Sequence, residues 1–250
     1  MITIKNEQAF SIMRVAGQLL AEMFEMLKGE IIPGVSTLDI DSYITDYLAQ
    51  HKLVSQSKGY HGYQHVSCIS INEVIVHGVP RKDKQIVAGD LVKVDVCAAW
   101  QGYCADMARC FFAGNIINQQ AKNLVDVAQR SLDAGIAQAV PGAKLSNISF
   151  AIQQEVEKAG YGVVRDFAGH GIGSKMHEGP EILNYGKPER GIVIREGMAF
   201  AIEPMITQGS YKVYIEKDGW TARTVDKSLS AHVEDTVLVT KHGPQIITRL

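Results

Sequence analysis

No apolar run in this 250-residue chain reaches the roughly 20 residues that a bilayer-spanning helix needs. Residues 1–10 also lack the apolar stretch of a secretory signal, so the expected compartment is the cytoplasm, with no membrane partner. Neither sign of charge is in excess. Twenty-five Lys and Arg are interspersed with 27 Asp and Glu for a net charge of −2, which argues against a direct nucleic-acid role. Cysteine is scarce. Cys68, Cys97, Cys104 and Cys110 form no CxxC pair, which excludes a zinc knuckle and reads as free thiols in a reducing compartment. No Pro/Ser-rich linker divides the chain, so one domain is expected over residues 1–250.

Periodicity supplies the elements. Phe10, Met13, Gly17, Leu20, Phe24 and Leu27 recur at helical steps, and Pro33-Gly34 ends that helix. Ser36 and Asp39 have capping-box spacing before a second helix whose apolar face is Ile40, Ile44, Tyr47 and Leu48. A Gly/Tyr/His loop at residues 59–63 precedes two β-like runs at 67–71 and 73–76. Residues 90–99 and 103–113 read as a strand pair turning at Gln101-Gly102. Helices are predicted at 121–140 and 145–158, and strands at 231–240 and 245–248.

An internal repeat organises this list. Pro33-Gly34 and Pro141-Gly142 lie 108 residues apart, as do Gly89 and Gly197. Ile40, Ile44 and Leu48 are matched at the same offset by Ile148, Ile152 and Val156, and Asp95 by Glu203. Two half-repeats follow, approximately 1–114 and 115–250, each placing an acid at a strand end. An approximate two-fold axis would bring those acids together at the shared centre.

Strand alternation aims Val92, Val94 and Val96 one way and Lys93, Asp95 and Cys97 the other. Taken alone, Asp95 also reads as a solvent-facing acid on an edge strand. Asp106 sits among small apolar residues, where an unpaired carboxylate is costly to bury. His170 is framed by Gly169, Gly171 and Gly173, which let the backbone pass close to something; an incidental His in a flexible loop is the alternative. Glu203 is followed by Pro204, which ends its strand, and Glu234 lies in a mixed pattern. Four carboxylates and one imidazole suit manganese, iron(II), cobalt or zinc, and four negative charges balance two divalent ions.

With these residues in view the chain resembles the bacterial type I methionine aminopeptidases. The resemblance runs in order through residues 59–63, 68–78, 94–96, 169–173, 202–205, 217–220 and 228–231, then Glu234. It implies an α+β pita-bread fold with an internal pseudo-two-fold repeat. It implies removal of N-terminal methionine from peptides and nascent proteins with a small second residue, by water activated at a dinuclear centre. By resemblance, Asp95 chelates one ion, Asp106 and Glu234 bridge both, and His170 and Glu203 complete the other. His77 and His177 become the outer catalytic histidines, and Glu203 the proton carrier. Tyr60, His61, Tyr63, Cys68, Met176 and Trp220 become the substrate pocket. Asn72, Val74 and Ser230 match a monovalent-cation site. A monomer is implied, with the ribosome a candidate partner.

The chain departs from the family at Cys97 (usually Thr), Cys104 (usually His), Met107-Ala108 (usually hydroxyl residues), Met176 (usually Phe) and Ser57 (usually Cys). All lie outside the ligand set. Two rivals share the fold. Xaa-Pro aminopeptidases and prolidases carry a large extra N-terminal domain, for which the stretch before Asp95 leaves no room. Non-catalytic relatives lose ligands, and none is lost here.

Overall fold

The computed structural model describes residues 1–115 and 118–250. In chain order the elements are α1 Glu7–Glu30, α2 Thr37–Gln50, β1 Val54–Ser55, β2 Cys68–Ile71, β3 Val74–Val76, β4 Leu91–Trp100, β5 Tyr103–Phe112, α3 Gln119–Ala137 and α4 Ser146–Lys158. Then come β6 Gly162–Val163, β7 Gly169–Gly171, β8 Glu178–Ile182, β9 Ala199–Ile202, β10 Met205–Thr207, β11 Val213–Ile215, β12 Ala222–Thr224, β13 Ser230–His232, β14 Asp235–Thr240 and β15 Gly243–Ile246. Among the described residues no helix is long and apolar enough to cross a membrane.

Local chemistry explains the boundaries. The Ser36 hydroxyl accepts from the Asp39 amide while the Asp39 carboxylate accepts from the Ser36 amide, so the predicted capping box starts α2. β4 and β5 pair in register from Leu91↔Phe112 to Trp100↔Tyr103, around the turn expected at Gln101-Gly102. One prediction needs correction. Residues 231–240 are two strands, because β13 pairs with β10 while β14 pairs with β9. The chain changes sheets at Val233-Glu234, and alternation carries no signal for that.

All pairings in the sheets are antiparallel. β4 carries β5 on one edge and β2 and β1 on the other; the largest sheet runs β15-β14-β9-β7-β8. Smaller sheets, β13-β10-β6 and β11-β12-β3, close the middle. α1 and α2 bury Phe10, Met13, Leu20, Ile40 and Ile44 against Val92, Val94 and Val96 of β4. α3 and α4 bury Leu124, Leu132, Ile148 and Ile152 against Phe200, Ile202, Val237 and Val239 of β9 and β14.

The 108-residue offset recurs in the backbone. The Gly34 amide donates to Ile86 O, and Gly142 to Ile194 O; the Ile86 amide donates to Val35 O, and Ile194 to Ala143 O. Bridges Ser36↔Gln85 and Lys144↔Val193 keep the same offset. Each half is thus a helix pair on one face of a sheet. The faces turned from the helices meet between the halves, where Asp95 and Glu203 stand.

Candidate metal centre and active-site cavity

Register brings the first two acids together. Asp106 lies opposite Cys97, and Asp95 lies opposite Ala108, so all four share one face of the hairpin. The bridge between Ala108 and Glu234 brings the sheet-switching residue to the same edge. From the second half, His170 on β7 pairs with Ala201 on β9, and Glu203 follows one residue after that strand. The glycines of 169–173 are required by close backbone approach rather than by a ligand. A Cβ at Gly171 would strike the Gly179 carbonyl, and one at Gly169 the Ala201 carbonyl.

Asp106, His170 and Glu234 each offer a donor atom, all within 4.8 Å of one another. His170 Nε2 lies 3.6 Å from Glu203 Oε1 and 3.8 Å from Asp106 Oδ2. Its Nδ1 donates to Gly171 O at 2.9 Å, which leaves the Nε2 lone pair facing the carboxylates. Acceptors therefore face acceptors. Glu234 Oε1 is buried without a hydrogen-bond partner. Burial, then mutual repulsion with Asp106, pushes the Asp95 carboxyl far above its ordinary value. Asp106 is raised by burial and then by Glu203, Glu203 by burial, and Glu234 by burial and then by Asp106. Such a cluster stays partly protonated at neutrality unless cations replace the protons. These donors therefore fit divalent ions.

Flanking groups hold the acids in place. Arg109 donates to the carbonyls of Ala108 at 2.9 Å and Glu234 at 2.5 Å, and to the buried Asp235 carboxylate at 2.5 Å. That clamp ties β5, the strand of Asp106, to the sheet switch at Glu234 and the start of β14. The Cys97 thiol beside Asp106 lowers its carboxyl against the larger effects of burial and Glu203.

The acids stand at the floor of a cavity of about 220 Å³. Tyr60, Tyr63, Cys68, His77, Met176, His177 and Trp220 line it together with all five predicted metal ligands. Tyr63 and Trp220 meet edge to face at 5.0 Å between centroids. His177 Nδ1 lies 3.0 Å from the Tyr60 hydroxyl, and its ring packs 4.4 Å from that of His170. Burial pushes His77 down to about 4, with His232 and His177 adding to the shift.

Two expectations do not match. His61 is absent from the cavity wall; it is exposed, holds a φ of 45° and packs edge-on against Tyr60. Asn72 and Ser230 do converge, with Val74 O held by the Ser230 hydroxyl, but on the side-chain amine of Lys93. Lys93 Nζ lies 2.6 Å from Asn72 O and 3.1 Å from Ser230 O, so a free monovalent ion has no place there. Burial pushes the Lys93 amine down to about 7, while Cys110, Glu73 and Asp90 pull the other way. Three acceptors aimed at Nζ favour its protonated form against that burial.

The cavity also holds residues not singled out by sequence. Val76, Phe167 and Met205 add apolar wall. His232 is buried, and its unpartnered Nε2 points at Glu203 Oε2 from 3.5 Å. Strand alternation from Ser230 puts His232 on the same face, which was the available signal.

Residues 11–241 match the model of metallopeptidase family M24. A methionine aminopeptidase of Clostridium acetobutylicum is 44% identical over 248 residues, covering 99% of each chain. The crystal structure of methionine aminopeptidase from Thermotoga maritima superposes with a TM-score of 0.97 at 40% identity, covering 100% of both chains. A prolidase from Pyrococcus furiosus shares the fold at a TM-score of 0.78 and 24% identity, but 99% of this chain covers only 65% of that one. The α+β pita-bread fold expected from sequence is thereby shown. The chain belongs to metallopeptidase family M24 and, within it, to the methionine aminopeptidases.

Proposed function

We propose that this hydrolase releases N-terminal methionine from peptides and nascent proteins whose second residue is small, using two divalent ions held by Asp95, Asp106, His170, Glu203 and Glu234. The observation that carries the reading is one cavity lined by two kinds of group: four largely enclosed carboxylates, each raised by burial, and an apolar aromatic wall. A flexible thioether suits that wall, since sulfur packs well at aromatic edges. When bound, the ions supply Lewis acidity and make water nucleophilic near neutrality. Glu203 would take a proton from the attacking water and return it to the leaving amine. The Tyr60 hydroxyl donating to His177 Nδ1 would leave Nε2–H free to stabilise the developing oxyanion. His77, backed by Phe167 at 5.3 Å, would hold the amide of the second residue. A cytoplasmic setting, chains emerging from the ribosome and a monomeric enzyme belong to the same reading.

The test compares Met-Ala-Ser with Leu-Ala-Ser, Ala-Ala-Ser and Ala-Pro-Ala on protein of measured metal content. Release of methionine alone, lost with chelator, is expected. Equal cleavage after Leu or Ala would remove the pocket assignment, and preference for Ala-Pro-Ala would move the chain toward the prolidase-like activities.

A further inference from the structure

Lys93 is among the largest fully buried side chains, at 1% exposure, two residues before Asp95 on β4. Its Nζ donates to Asn72 O at 2.6 Å, Ser230 O at 3.1 Å and Ser230 Oγ at 3.2 Å. The Ser230 hydroxyl lies 2.9 Å from Asn72 O and 3.1 Å from Val74 O, and so passes its own proton on to a carbonyl. Three acceptors match the three protons of an ammonium; a neutral amine could serve only two of them.

Among the described residues no carboxylate lies within ion-pair distance of Nζ. A buried cation held wholly by carbonyl and hydroxyl oxygens is unusual for lysine, whose buried charge is ordinarily paired. It is how proteins hold a dehydrated alkali ion, with carbonyl oxygens in place of the hydration shell. The oxygens on Nζ come from two segments, the turn at Asn72, whose φ is 54°, and β13 through Ser230, and the Ser230 hydroxyl links on to β3 at Val74 O. Without a positive charge between them these dipoles would face one another. These segments and the strand of Lys93 lead to the cavity: β3 runs into His77, β13 carries His232, and β4 carries Asp95.

We propose that the Lys93 ammonium is a covalently tethered monovalent cation: it fills an oxygen cage suited to sodium or potassium, frees the chain from any need of either, and leaves an exchangeable alkali-ion site when shortened. As the cation joins β4, β13 and the Asn72 turn, Lys93 is a positioning residue. The inference stands on the cage itself; only its activity readout rests on the aminopeptidase reading.

The experiment melts divalent-loaded wild type, Lys93→Ala and Lys93→Met in choline, sodium and potassium chloride at equal ionic strength. Wild type is expected to melt at one temperature in all three salts. Lys93→Ala should be less stable in choline and regain roughly 5–10 °C, saturably, at a hundredfold excess of the fitting ion over its Kd. Lys93→Met, whose side chain fills the channel with no charge, should be destabilised and not rescued. Hydrolysis of Met-Ala-Ser should follow the same pattern. A wild type whose melting depends on sodium or potassium overturns the proposal, as does a rubidium peak at Asn72 O and Ser230 O in wild-type crystals. Lys93→Ala that no alkali ion stabilises, or that stays insoluble in every salt, overturns the exchange. Wild type that hydrolyses nothing yet melts independently of the salt would defeat the aminopeptidase reading and leave this one standing.

Discussion

The two halves share a frame and divide the chemistry unequally. Gly89 and Gly197 turn with φ of 92° and 85°, and β4 and β9 begin at residues 108 apart. Yet only Asp95 and Glu203 obey that offset among the acids. The counterpart of Asp106 is Tyr214, exposed on β11; Glu234 stepped back by 108 residues falls within its own half and so has no counterpart in the first. Lys93 corresponds to Ala201, a small residue beneath the Gly169 backbone. A repeat therefore transmits where a strand arrives and leaves open what it carries. Half of the site comes from symmetry, and half from hairpin register and a sheet switch.

Asp106 tests that division most severely, because it belongs to the half of the site with no symmetry counterpart. Asp106→Asn should reduce hydrolysis to background and fail to bind two ions in calorimetry. Its metal-free melting temperature should stay or rise, since one charge leaves a crowded cluster. Tight binding of two ions by this variant would mean that the repeat-related acids suffice.

The outer histidines sharpen the comparison, one coming from each half. His177→Ala should lower kcat by about 10²–10³ with little change in KM, the effect of one lost oxyanion donor. His77→Ala should act mainly on KM. A His177→Ala kcat within about twofold of wild type would remove His177 from the chemistry, and matched effects at both would erase the distinction between them.

The smallest effect concerns the seam as a whole. Folding raises the carboxyls, to about 7 at Asp106 and about 8 at Asp95. The folded metal-free protein thus holds protons that the unfolded chain has already released, so stability present near pH 4 drains away as pH climbs toward 8. Melting temperature with chelator should fall over that window. Added Mn²⁺ should abolish the fall and contribute about 2.7 kcal/mol per site at a hundred times Kd, some 2–4 °C for each kcal/mol. Equal melting curves across pH and metal would mean that the halves do not crowd their acids at all.

Much of this was readable before any coordinates. The Ser36–Asp39 capping box, the Gln101-Gly102 turn and the 108-residue offset are local or periodic signals, and each reappears in the structure. What escaped depends on residues distant in sequence. Lys93 alternates like a solvent-facing lysine, and the oxygens that enclose it include Ser230, 137 residues away. His232 gains its setting from Glu203 across a sheet boundary. His61 sits in an aromatic loop whose composition says pocket, yet it packs on the edge of Tyr60 and stays exposed.

The sheet switch at Val233-Glu234 bears on how this chain can change length. A residue added at the Gln101-Gly102 turn projects into solvent. One gained or lost between His232 and Asp235 would slide β14 by a step and invert its two faces. Asp235 would leave Arg109 and Arg249, its present partners at 2.5 and 2.6 Å, and after a deletion Thr236 would take its place. Insertions and deletions are therefore expected to accumulate at the hairpin tips of this molecule, while those two residues act as a fixed spacer.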